Sequence, residues 1–105
     1  MNDAIATVQA GVCKFQSIIT ATMDDSGDIS FKIESDCPAI KKLANNVQSV
    51  PMFDTIKTPF NDNPIYQMCG KYVIHAACPV PCGMVKAAEA AAGLGLKRDV
   101  SIALK

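Results

Sequence analysis

Apolar and polar residues alternate on both sides of a polar turn in the first third of the chain. The turn, Asp24–Asp28, has the acidic, Ser and Gly composition that favours a tight reversal. The apolar positions before and after it are odd-numbered: Cys13, Phe15, Ile19, Ala21, Met23, Ile29, Phe31 and Ile33. This period-two pattern predicts a β-hairpin with one buried face and one solvated face. Ser17 and Ile18 interrupt the alternation once.

The turn also predicts which residues face each other across the hairpin. For a turn centred near Ser26, paired residues in an antiparallel ladder have numbers that sum to about 50–52. Cys13 and Cys37 satisfy this sum, and both share the parity of the apolar residues around them. We therefore expect these two cysteines on the core side of neighbouring strands, with Cα atoms roughly 4.5–7 Å apart.

Two helices are predicted in the middle of the chain. The first begins at Pro38, with Asp36 as its predicted N-cap, and has a helically spaced apolar face. That face consists of Ile40, Leu43, Ala44 and Val47. The second begins at Asn63-Pro64, a cap followed by a first-turn proline, and is expected to run to Met68 and end at Gly70.

The last third predicts a further helix between two short strands. The helix follows Pro79, is rich in alanine and is expected to end at Gly93 or Gly95. Its apolar face consists of Met84, Val85, Ala88 and Ala92. The strands are expected at residues 72–74 and at residues 100–104, where Val100, Ile102 and Leu104 alternate with Ser101 and Ala103.

These elements predict a single α+β domain over residues 1–105. The expected order is β-β-α-α-β-α-β, which suits a two-layer sandwich of a small mixed sheet with helices on one face. Residues 1–11 are predicted to form either a short helix or an extra strand.

Composition narrows the classes of function. Ten basic and ten acidic residues balance, and no basic run exceeds two residues, so a nucleic-acid partner is not expected. No apolar run approaches the ~20 residues of a membrane span, so we expect no membrane partner. The first residues lack a signal-peptide pattern, and we predict a cytoplasmic protein. In a reducing compartment, five cysteines favour metal ligands or reactive thiols over disulfides, although a buried cysteine can also be a small hydrophobe.

Two Cys-Pro dipeptides stand before predicted helices. Proline is favoured in the first helical turn, so Cys37 and Cys78 lie where helix N–H groups stabilise a thiolate. We therefore expect a lower pKa for both than for Cys69, which is predicted to be a core or surface thiol. The repeated order of strand, Cys-Pro and helix predicts that both helix starts lie at one edge of the sheet, which would bring Cys78 close to Cys13 and Cys37.

Convergent thiolates predict a metal site. Cys13, Cys37 and Cys78 would supply three ligands, and either His75 or Cys82 would supply the fourth. This ligand set suits zinc, and an all-cysteine shell also suits an iron–sulfur cluster. Such a site would also predict a protein partner that exchanges metal or sulfur with this domain. For His75 the alternative is a histidine that makes an ordinary structural hydrogen bond.

The residues Cys78-Pro79-Val80-Pro81 resemble the Cys-Pro-x-Pro signature of TusA/SirA-type sulfur-carrier proteins. The resemblance implies a small α+β sandwich in which Cys78 opens a helix and carries a persulfide between partners. In that family the motif follows the first strand, whereas here it lies in the last third of the chain. The whole sequence also resembles a small uncharacterised cysteine-containing domain family of anaerobic prokaryotes. A third possibility is an interaction domain whose thiols are buried and structural.

Overall fold

The computed structural model describes residues 2–105, and four antiparallel strands form one of its two layers. In spatial order the strands are β1 (Asn2–Gln9), β2 (Gln16–Met23), β3 (Asp28–Ser35) and β4 (Val50–Pro51). Of the two structures predicted for residues 1–11, the extra strand is therefore the one that forms, with Met1 outside the described residues. Each strand pairs antiparallel with its sequence neighbour, so the described sheet is antiparallel and not mixed.

The predicted hairpin is confirmed as β2 and β3. Ile19 pairs with Ile33 and Ala21 with Phe31, a register within the predicted range. The Asp24 carboxylate accepts the backbone N–H groups of Ser26 at 2.9 Å and Asp28 at 3.0 Å, which closes the turn.

One face of the sheet carries the core, as the alternation predicts. The buried side chains of the first three strands are Ala4, Val8, Ser17, Ile19, Ala21 and Ile29. Residues of opposite parity, among them Thr7, Lys32 and Glu34, are exposed on the other face. The sheet therefore has one solvated face, which leaves the buried face to the helices.

The second layer consists of three α-helices and two 3₁₀ turns. The helices are α1 (Pro38–Asn46), α2 (Pro64–Tyr72) and α3 (Val80–Ala91), and the 3₁₀ turns are Met52–Ile56 and Phe60–Asp62. Helix α1 packs on β3, while α3 packs on β1 and β2. This arrangement confirms the two-layer α+β fold class.

Gly83 allows α3 to approach the sheet closely. A Cβ atom at this position would lie 2.6 Å from Val8 Cγ2 and 3.5 Å from Ile19 Cδ1. The first of these distances is too short for a real side chain, so a larger residue would push the first turn of α3 away from the strands. This turn lies immediately after Cys78, and the glycine therefore helps to set where that cysteine lies.

Two predicted strands do not form, and the order of elements differs accordingly from β-β-α-α-β-α-β. Residues 72–74 are not a strand, because α2 continues past Gly70 to Tyr72 and the Val73 N–H still bonds to the Cys69 carbonyl at 2.8 Å. Residues 100–104 are irregular and exposed, because no described strand pairs with them. The Asn63 cap is confirmed, since its side chain accepts N–H groups from Ile65 and Tyr66.

A candidate thiol site at the open end of the hairpin

Cys13 does not lie on a strand, which corrects the predicted pairing with Cys37. Because β1 precedes the hairpin, the chain must reverse between β1 and β2, and Cys13 is in that reversal. Ala10 donates its N–H to the Phe15 carbonyl at 3.2 Å, and Lys14 adopts a positive φ of 61°. Cys13 is exposed on this turn, beyond the end of the β2–β3 ladder.

Cys37 is the N-cap residue of α1, the position that the sequence assigned to Asp36. Its extended backbone precedes Pro38, and its carbonyl accepts the first helical N–H, from Lys41, at 2.9 Å. The Cys37 N–H bonds to Ser35 Oγ at 3.1 Å, and Ser35 Oγ in turn accepts the Ser17 hydroxyl at 2.9 Å. The helix begins at Pro38 as predicted, and only its N-cap residue differs.

Ser17 and Ser35 are supporting residues that the sequence-based prediction missed. Ser17 is buried and faces the core side of β2, where an apolar residue is the rule. The only indication of this role in the sequence was that Ser17 interrupts the alternation of apolar and polar residues. The pair gives the buried hydroxyl a partner and fixes the backbone that carries Cys37.

Cys78 is half-buried and lies one residue before the N-cap of α3, Pro79. Its own N–H bonds to the His75 carbonyl at 3.0 Å. Burial is the largest cause that raises the pKa of the Cys78 thiol above its ordinary value. The Val80 N–H bonds to the sulfur and lowers this pKa, while the nearby Cys37 and Cys13 thiolates raise it.

The helix start therefore acts on Cys78 as predicted, but it does not dominate. The Val80 N–H stabilises the thiolate, yet burial and two like charges outweigh it, so the net pKa shift is upward. This finding does not overturn the predicted order, in which Cys78 has a lower pKa than Cys69, because burial raises the pKa of Cys69 as well.

Thiols from two other segments thus act electrostatically on Cys78. Cys13 comes from the β1–β2 turn, Cys37 from the start of α1 and Cys78 from the start of α3. Within residues 2–105, no group of three or more His, Cys, Asp or Glu side chains is arranged so that it could hold a metal ion. The thiols are neighbours without forming a ligand shell.

Cys69 is a core thiol, as one of its two predicted alternatives states. It is 2% exposed, and its Sγ lies 3.6 Å from Met84 Sδ. Burial, with a smaller contribution from the Cys78 thiolate, raises the pKa of Cys69 to about 12. This thiol is therefore protonated throughout the physiological range.

The two candidates for a fourth ligand lie differently relative to Cys78. His75 is exposed and lines, with Cys78, Cys69, Tyr66 and Val73, a cleft of about 200 Å³. Cys82 is exposed in the first turn of α3. Burial, followed by the Cys82 and Cys69 thiolates, raises the pKa of Tyr66. Cys82 is thus close to Tyr66, while Cys78 is influenced by Cys37 and Cys13.

A family model described as a family of unknown function, DUF6951, matches residues 4–104. The protein belongs to this family. No curated protein and no solved structure matches the chain significantly. Among the described residues, no helix has both the length and the apolar character needed to cross a membrane.

Proposed function

We propose that this domain is a thiol-exchange protein that acts on a sulfur–sulfur bond of a partner, with Cys78 as the attacking thiol. The observation that carries the proposal is the grouping at Cys78. Its sulfur accepts the Val80 N–H, and the Cys37 and Cys13 thiolates are close enough to alter its pKa. A helix N–H at the sulfur stabilises the attacking thiolate, and a second thiol nearby can resolve a mixed disulfide.

The partner in exchange is Cys37. Its influence on the pKa of Cys78 is larger than that of Cys13, which supports Cys37 as the nearer thiol. The Ser35 hydroxyl holds its backbone N–H, whereas Cys13 is on an exposed turn. Cys37 is therefore the resolving thiol in this proposal.

The reaction balances with a persulfide or a disulfide as the partner. The Cys78 thiolate attacks the outer sulfur of a persulfide, forms a new S–S bond and releases the donor as a thiolate. The Cys37 thiolate then attacks the Cys78 sulfur and releases hydrosulfide, leaving a Cys37–Cys78 disulfide. Two thiols are oxidised by two electrons, and the transferred sulfur is reduced. With a disulfide partner, the two leaving groups are its two thiolates.

The experiment uses reduced full-length protein with glutathione persulfide in one arm and glutathione disulfide in the other. After quenching with iodoacetamide, peptide mass spectrometry locates each adduct. We expect a Cys37–Cys78 disulfide in the wild type, a trapped adduct on Cys78 in Cys37→Ser, and neither in Cys78→Ser. Cys82→Ser is the matched control, because it removes another α3 thiol and should leave the products unchanged.

Two results would contradict the proposal. One is a first adduct on Cys82 or Cys13 while Cys78 remains unmodified. The other is no reaction at any cysteine, which supports the third possibility, an interaction domain with structural thiols. Reaction with the persulfide only would support the sulfur-carrier function that the Cys-Pro-x-Pro resemblance implies for Cys78.

A second candidate function is metal binding by Cys13, Cys37 and Cys78. The same grouping of thiols favours it, and His75 is the preferred fourth ligand over Cys82 because it lines the cleft with Cys78. The side chains would have to close around the ion, as metal-coupled folding allows.

Anaerobic titration of the reduced protein with Co²⁺ as a zinc substitute tests this metal binding. Thiolate charge-transfer absorption that is lost in Cys78→Ser but kept in Cys82→Ser is the expected result; absence of this absorption contradicts it. Visible absorption of the anaerobically purified protein tests the iron–sulfur alternative.

A further inference from the structure

The outer side of β1 is open. Strand β1 is at the edge of the sheet, and within residues 2–105 no strand other than β2 pairs with it. Beside it is a groove of about 490 Å³ between β1, α3 and residues 96–100. Its floor consists of small side chains, among them Ala4, Ala6, Gly83, Ala87 and Ala90. An unpaired edge above an apolar groove favours addition of another strand.

Residues 100–104 have the pattern of such a strand. Val100, Ile102 and Leu104 are 58%, 82% and 94% exposed, and the residues between them, Ser101 and Ala103, are small. A strand with this alternation is stabilised when its apolar side chains are buried against a sheet. Among residues 2–105, the edge of β1 and the strand-like segment 100–104 are thus both without a pairing strand.

We propose that residues 100–104 of one copy pair with β1 of a second copy, and reciprocally, so that the protein forms a two-fold dimer. In the antiparallel register that sets Ile102 opposite Ala6, Val100 is opposite Val8 and Leu104 is opposite Ala4. These apolar side chains then extend the buried face and enter the groove beside α3. On the solvated face, Lys105 is opposite Asp3 and Ser101 is opposite Thr7, a complementary arrangement of charge and polarity.

The course of α3 favours a second copy over the segment of the same chain. Gly83, in the first turn of α3, approaches Val8, and α3 also packs on the 3₁₀ turn Met52–Ile56. That 3₁₀ turn is beside Gly27, at the opposite end of the sheet, since the Met52 N–H bonds to the Gly27 carbonyl. Helix α3 therefore runs antiparallel to β1 and ends near the beginning of β1.

A segment that continued from there along its own β1 would run parallel to it. The parallel register that sets Ile102 opposite Ala6 also sets Asp99 opposite Asp3, an unfavourable pair of like charges. A two-fold axis between two copies allows the antiparallel register, with Lys105 opposite Asp3. Such a dimer interface is isologous, because each copy contributes the edge of β1 and the segment 100–104.

Sedimentation velocity of the full chain under reducing conditions tests the dimer without interference from disulfides. We expect a concentration-dependent dimer in the wild type and in Ser101→Asp, and at least about tenfold weaker association in Ile102→Asp. Ser101→Asp is the matched control, since it adds the same charge on the solvated face. Asp3→Lys and Lys105→Asp should each weaken the dimer, and the double variant should restore it.

Three outcomes would overturn the inference. A wild type that is monomeric at all concentrations tested would do so, as would a dimer that Ile102→Asp leaves intact. The third is a monomer whose β1 amides are protected from hydrogen exchange, since the same chain's segment would then fill the groove. None of these bears on the exchange chemistry of Cys78.

Discussion

Cys69 and Cys78 are nine residues apart in the sequence but lie in different environments: Cys69 is buried in the core, whereas Cys78 is half-buried before the start of α3. Burial raises the pKa of both thiols. Around Cys69 the neighbour is a methionine sulfur in the core, and the Cys78 thiolate acts in the same direction as burial, so the pKa of Cys69 rises to about 12. At Cys78 a helix N–H opposes burial, and other thiols are near. The chemistry of a cysteine therefore depends on which groups lie close to its sulfur.

The largest expected effect is the difference in reactivity between these two thiols. At neutral pH the thiolate fraction of a group with a pKa near 12 is about 10⁻⁵, and Cys69 is also inaccessible. Iodoacetamide labelling of the folded protein should therefore modify Cys78 at least about 100-fold faster than Cys69. Because the pKa of Cys78 is raised, its labelling rate should still be increasing above pH 9. Equal rates for the two thiols in folded protein would refute the comparison.

The second prediction concerns alkaline stability. The pKa of Cys69 is raised in the folded state, so its protonated form contributes stability that is complete below the unfolded pKa near 9. That contribution is lost as the pH rises through about 12. Its upper limit is about 4 kcal/mol. Urea unfolding between pH 8 and 12 should show a steep loss in the wild type and a shallower loss in Cys69→Ala.

Cys78→Ala is the matched variant for this measurement. Its sulfur is half-buried and its pKa is raised less, so its removal should change the alkaline slope less than Cys69→Ala does. Identical slopes for the wild type and Cys69→Ala would show that Cys69 does not carry the alkaline sensitivity.

The third prediction compares Gly83, in the helix that follows Cys78, with Gly70, in the helix that contains Cys69. Gly83→Ala should lower the free energy of unfolding by about 1–3 kcal/mol, because its Cβ would meet Val8 Cγ2. Gly70→Ala, in α2 beside Cys69, meets nothing within 4 Å and should stabilise the protein by about 0.5–1 kcal/mol. Thermal unfolding of both variants measures this, and a stabilising Gly83→Ala would show that α3 can move without cost.

A smaller effect than that of Gly83→Ala is expected at the Ser17–Ser35–Cys37 hydrogen bonds. Ser35→Ala removes the acceptor for the Cys37 N–H and the partner of the buried Ser17 hydroxyl, and should cost about 1–2 kcal/mol. The Ser17→Ala, Ser35→Ala double variant should cost less than the sum of the two single changes, since it leaves no orphaned hydroxyl. Strict additivity in denaturant unfolding would show that the two hydroxyls act independently.

Local patterns in the sequence determined the elements whose causes are local. The β2–β3 hairpin follows from period-two alternation around Asp24, whose carboxylate closes the turn with two neighbouring N–H groups. The start of α2 follows from Asn63, which caps the next two residues, and the starts of the other helices follow from their prolines. One buried face, and hence the two-layer fold, follows from the parity of the apolar residues.

Tertiary structure decided whatever depends on residues distant in sequence. Because β1 forms, Cys13 lies on the turn between β1 and β2 instead of on a strand. Residues 100–104 are irregular because none of the four described strands pairs with them. At the site, the local helix start predicted a stabilised Cys78 thiolate, but packing buried the sulfur and brought Cys37 and Cys13 near it. Capping and turn hydrogen bonds and the alternation of apolar residues involve only neighbouring residues, so the sequence alone predicts them. Burial of a thiol and the charges of residues distant in sequence act on it only once the chain has folded.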